Sequence, residues 1–103
     1  MRPLRAFLAL ALALALTPPP AAADLVMRGN GNELRLYASP CVHAGILGQI
    51  RDEWRAKFKK ARATISGKMH YACWIEHDGA AFVMFEDEQG MWDMGQFKDE
   101  PGA

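Results

Sequence analysis

The chain has 103 residues, with twelve basic and twelve acidic side chains and two cysteines. That length predicts one domain with a thin core, and the balanced charge excludes a polycationic nucleic-acid binder. No segment after the N-terminal region is long and apolar enough for a membrane helix, which needs about 20 residues.

Residues 1–23 read as a secretory signal peptide. Arg2 and Arg5 give a charged start, Ala6 to Leu16 is an unbroken apolar run, and Ala21-Ala22-Ala23 offers small residues for cleavage before Asp24. The expected mature protein is a single domain, 24–103, periplasmic or secreted after cleavage near Ala23. It has ten basic residues against twelve acidic, a formal charge of −2. In an oxidising compartment Cys41 and Cys73 are expected to pair with each other. Two free thiols or an intermolecular bridge are the alternatives. The closed loop is worth roughly 3–4 kcal/mol in the chain-entropy model.

Leu25 to Leu36 reads as a β-hairpin turning at Asn30-Gly31. Its register sets Arg28 opposite Glu33, Met27 opposite Leu34 and Leu25 opposite Leu36. Ser39 as a cap and Pro40 in the first turn start a helical stretch. Its apolar stripe is Ile46, Leu47, Ile50, Trp54, Phe58 and Ala61. Gly45 and Gly48 predict a bend or two short helices, the second starting near Asp52. Met69 to Glu76 and Ala80 to Glu86 read as a second hairpin around Asp78-Gly79, with Cys73 facing Met84, Trp74 facing Val83 and Ile75 facing Phe82. Met91 to Met94 is a short third strand, and 98–103 a frayed tail. The expected fold is α+β: a small antiparallel sheet in the order ββ-α-βββ, one helical layer spanning about 40–63 that is bent or split, and one disulfide.

Both faces of the second hairpin are apolar. If Cys73 points at the helix, the opposite face, with Trp74, Val83 and Phe85, is the expected partner surface. A second candidate surface is the basic stripe Arg51, Arg55, Lys59 and Arg62. It belongs to a segment, 51–68, of seven basic and two acidic residues, while 76–100 holds eight acids and one lysine. The simpler reading of the stripe is the solvated face of an amphipathic helix.

From Leu36 to Phe97 the chain resembles small uncharacterised exported proteins of proteobacteria and their prophages. The matching residues are Pro40-Cys41, the apolar-and-basic stretch through Trp54 and Phe58, Gly67, Cys73-Trp74, the strand running into Glu86-Asp87, and Phe97. The resemblance implies export and paired cysteines, and no activity.

No nucleophile–base arrangement stands out. Ser39 and Ser66 are accounted for by local structure, His43, His70 and His77 lack a flanking motif, and bridged cysteines leave no thiolate. The expectation is therefore a non-catalytic exported interaction or accessory module that uses no cofactor. Its partner would be an unidentified protein or a cell-envelope component, with no nucleic acid and no membrane span in the mature form. The alternative is a periplasmic copper protein using Met91, Met94 and His70. Against it, methionines three apart on a strand point to opposite faces.

Overall fold

A computed structural model describes residues 24–100. The expected signal peptide and residues 101–103 lie outside the described residues. Seven strands form one antiparallel sheet: β1 (Asp24–Gly29), β2 (Asn32–Pro40), β3 (Lys59–Ile65), β4 (Lys68–His77), β5 (Ala80–Met84), β6 (Gln89–Asp93) and β7 (Lys98–Glu100). Their spatial order is β6-β5-β4-β3-β2-β1-β7. The sheet is a six-stranded meander curled into a half-barrel. The chain leaves β6, makes a 3₁₀ turn at Met94–Gln96, and returns to pair β7 with β1 at the opposite edge.

This corrects the ββ-α-βββ expectation. There is no helical layer over 40–63. Two four-residue helices, α1 (Ala44–Leu47) and α2 (Asp52–Arg55), sit in the β2–β3 connection. Ser39 and Pro40 end β2 instead of starting a helix, and the cap of α1 is His43, whose Nδ1 accepts from the Ile46 N–H at 3.2 Å. Residues 59–65 are a strand. Lysine, alanine and arginine favour helix in isolation, but Ala61 and Ala63 alternate with Arg62 and Thr64, and pairing on both sides settles the matter. Lys98–Glu100, expected in a loose tail, is fixed by three residue pairs with β1.

All three long hairpins turn on two residues with positive φ: Asn30-Gly31, Ser66-Gly67 and Asp78-Gly79. Both central residues of a type I′ turn need that conformation, which suits the right-handed strand twist. The first and last of these turns set the registers expected from the sequence, including Arg28 with Glu33 and Trp74 with Val83.

The curl makes two cores, one on each side of the sheet. The concave side holds Leu34, Leu36, Val83, Trp74 and Phe97 around four alanines, Ala61, Ala63, Ala72 and Ala81. Small residues on the central strands leave room for the two large rings. Trp74 is 4 % exposed, and its indole N–H donates to the Tyr37 carbonyl at 3.0 Å. That carbonyl lies where the β2–β3 register shifts between Leu36 and Pro40. A bulge interrupts the ladder locally, so the indole supplies a partner for the backbone there.

On the convex side the β2–β3 connection folds back over β4 and β5. Ile46, Ile50 and Phe58 pack there around the Cys41–Cys73 disulfide. The Cys41 N–H donates to Phe58 O at 3.0 Å, closing the connection at its base. Trp54, expected in this apolar stripe, is instead 44 % exposed and lies under Lys57 Nζ. Ala61 belongs to the other core.

The bridge thus holds a connection with little regular structure of its own. Replacing both cysteines by serine is expected to cost about 3–4 kcal/mol, read as a lower urea midpoint. Trp74→Phe should cost at least about 1 kcal/mol by leaving the Tyr37 carbonyl without its donor. An unchanged midpoint in either variant contradicts these assignments.

Candidate functional site

The half-barrel is open at the end where the β1–β2, β3–β4 and β5–β6 turns gather. Its mouth is a cavity of about 510 Å3. Alternation along the strands directs Met27, Leu34, Ala63, Phe85 and Trp92 to the concave side, and Ile65 joins them at the lip. Each is apolar. The rim is polar, with Arg28, Asn32 and Glu33 on one side and Glu88 and Gln89 on the other. An apolar floor with a few polar groups at its edge, in this size range, is the usual form of a small-molecule site.

One wall depends on a glycine. A Cβ at Gly90 would lie 2.6 Å from the Trp92 ring, because the indole of Trp92 folds over Gly90 two residues away. Glycine here lets the ring lie flat along β6 and form a side of the mouth.

The opposite rim is held by charge. On the convex side of β1, β2 and β7, Arg35 contacts Asp24 at 2.9 Å, Glu33 at 3.1 Å and Glu100 at 3.1 Å. Arg28 contacts Glu33 at 3.0 Å and Glu100 at 2.8 Å. Two arginines and three carboxylates thus join three strands, including the C-terminal one. Arg35 is largely covered and bonds three carboxylates at once, as a planar guanidinium permits. Burial acts to raise the Glu33 carboxyl, but hydrogen bonds and charge from Arg35 and Arg28 outweigh it and hold it below its ordinary range. Glu100 is also held low, first by its hydrogen bond to Arg28 and then by that to Arg35. Asn32 adds a further link, its Oδ1 accepting from the Ser66 N–H at 3.1 Å.

The residues singled out in the sequence scatter. Trp74 and Val83, expected as a partner surface, are buried in the concave core and present no surface. Phe85 is half-buried and lines the mouth. The expected basic stripe does not exist as one, because no single helix carries it. Arg51 precedes α2. Arg55 Nε donates to the Leu47 and Ile50 carbonyls at 2.8 Å each, tying the two helices. Lys59 Nζ lies over the Trp74 ring at 5.3 Å, and Arg62 lies over the Tyr37 ring at 5.9 Å on the opposite face.

The methionine–histidine set does not converge either. Met91 is exposed on β6, Met94 packs against the concave core, and His70 is on β4, with β5 between. Among the described residues no group of three His, Cys, Asp or Glu side chains converges as metal ligands would. The mouth is not among the surfaces expected from the sequence. Its signal is the second two-residue turn, Ser66-Gly67, which follows the alternating run Ala61 to Ile65.

Comparison with protein-family models, curated proteins and solved structures finds no match for this chain.

Glu33 and Glu100 titrate lower in the folded protein than in an unfolded chain. Their contribution is therefore fully present above the unfolded value of about 4.3 and is lost as pH falls through the lower folded values. Acidification below about pH 4 should release β7 from β1 before the rest of the sheet opens. Hydrogen exchange should show the Lys98–Glu100 amides losing protection ahead of those in β4, and simultaneous loss contradicts this.

Proposed function

We propose that the protein is a non-catalytic exported binding module whose ligand is a small molecule with an apolar body, held in the mouth of the half-barrel. The observation that carries this reading is the cavity of about 510 Å3 with its floor of Met27, Leu34, Ala63, Phe85 and Trp92. Apolar surface left open in so small a domain is costly, at roughly 25 cal/mol per Å2 relative to covering it. A ligand that covers it recovers that energy, and the polar rim remains free to hydrogen-bond the ligand's polar end.

Export is part of the same proposal. Its support is the charged, then apolar, then small-residue pattern of 1–23 and the Cys41–Cys73 bridge. Of the expected partner surface Trp74, Val83 and Phe85, the first two are buried and Phe85 lines the mouth.

The neutral fluorophore N-phenyl-1-naphthylamine tests the reading. It should bind the purified protein saturably at one site with enhanced emission. Ile65→Arg places a charge at the lip of the mouth, at a residue 44 % exposed and so tolerant of the change. This variant should keep its circular dichroism and thermal midpoint and weaken the fluorophore at least about tenfold, since an unpaired charge is poorly placed in an apolar site. No saturable signal, or equal binding by the folded variant, overturns the proposal.

A further inference from the structure

The ladder between β4 and β5 covers only half of β4. It runs from the turn at Asp78-Gly79 back to Cys73 opposite Met84, where β5 ends. On its other side β4 is paired with β3 all the way from Trp74 to Lys68. Opposed residues in antiparallel strands alternate between hydrogen-bonded and non-bonded pairs, and the pair flanking a two-residue turn is bonded. Ile65 and Lys68 flank one such turn, and His77 and Ala80 another. Stepping by twos, His70, Ala72 and Trp74 direct their N–H and C=O groups to β3. Met69 and Tyr71 share the phase of Cys73 and Ile75, so theirs point the other way, along the line that β5 vacates. Among the described residues no strand lies there. Met69 and Tyr71 are 51 % and 54 % exposed.

Facing this edge is the turn Glu86-Asp87, closed by the Phe85 N–H donating to Glu88 O at 2.8 Å. A second cavity, of about 590 Å3, separates the edge from the turn, between Met69, His70 and Tyr71 on one wall and Glu86, Asp87 and Glu88 on the other. The turn is anchored from behind. Gln49 Nε2 donates to the Glu86 carbonyl at 2.9 Å, and His43 Nε2 lies 3.2 Å from Glu86 Oε1. Asp87 and Glu88 have no cationic partner among the described residues.

We propose that the free edge of β4 from Lys68 to Ala72 is a strand-addition site for a short extended peptide carrying lysine or arginine. The peptide takes the vacated line of β5. Met69 and Tyr71 supply its backbone partners, the general mode by which open sheet edges bind extended segments. The edge accommodates about five residues, or ~17 Å at ~3.4 Å per residue. The carboxylates of the turn select a basic sequence by complementarity. A second copy of this chain fits less well, because it brings its own acidic turn into the same groove.

A fluorescein-labelled five-residue peptide alternating valine and lysine provides the test, by anisotropy against the purified protein. It should bind saturably. N-methyl groups on one alternate set of its amides should abolish binding, and on the other set should not. Glutamate in place of lysine should weaken binding at least about tenfold. Tyr71→Pro removes an N–H that the β3 ladder does not use and should abolish binding. If that variant fails to fold, the methylated peptides decide alone. Equal binding by both methylated peptides, or by the glutamate peptide, overturns the proposal. So does a dimer in sedimentation that Tyr71→Pro dissolves, which would assign the edge to a second copy.

Discussion

The curl of the sheet around Trp74 is the constraint on which the other features rest. The seven antiparallel strands take up most of the described residues and leave too little chain among them for a full second layer, so the sheet covers its apolar face by bending. The four alanines of the concave core allow the bend, and Trp74 and Phe97 fill the space it encloses. The indole hydrogen bond to Tyr37 crosses β3 to reach β2, so it ties strands that are not neighbours. Phe97 enters only because β7 returns to the far edge and pairs with β1. The arginine–carboxylate cluster holding β7 is thus also what keeps that ring in the core.

Much of this was legible locally. Asn30-Gly31 and Asp78-Gly79 demand positive φ, and a two-residue turn fixes register for the whole hairpin, so the pairs of β1 with β2 and of β4 with β5 could be written down. The pairing of Cys41 with Cys73 followed from an even count. The stretch 40–65 misled for a physical reason. Ile46, Ile50 and Phe58 do share one core, as their spacing implied, but they do so from one short helix, the link between the two helices and the segment just before β3. Ala61 continues the same spacing by coincidence, and its strand is set by β2 and β4, which lie far off in sequence. The buried position of Trp74 depends on curvature, and alternation gives a side chain's face without giving the sense of the bend. β7 is three charged residues whose only reason to be a strand is the edge of β1 and the arginines beside it.

The two cores are unequal in what holds them. The concave one is closed by strand geometry and large rings. The convex one covers β4 and β5 with a connection of which only eight residues are helical, in two separate turns. A covalent link matters most where ordered contacts are few, and Cys73, fully buried at its centre, is where the connection meets the sheet. The Arg55 bonds to the Leu47 and Ile50 carbonyls serve the same end, tying the second helix to the end of the first and to the link between them.

The mouth and the groove beside β4 trace to one event, the end of β5 at Met84. Glu86 and Asp87 are poor strand formers, and the chain reverses there instead of running on beside the first half of β4. Had β5 continued, Phe85 would extend the concave core and the backbone of Met69 and Tyr71 would be paired. Because it does not, Phe85 and Ile65 stand on the boundary between the mouth and the groove and line both. A strand laid along β4 would complete the sheet at that boundary and direct alternate side chains toward the same lip. The mouth and the edge are therefore adjacent consequences of a single early turn, and a change in its position would alter both together.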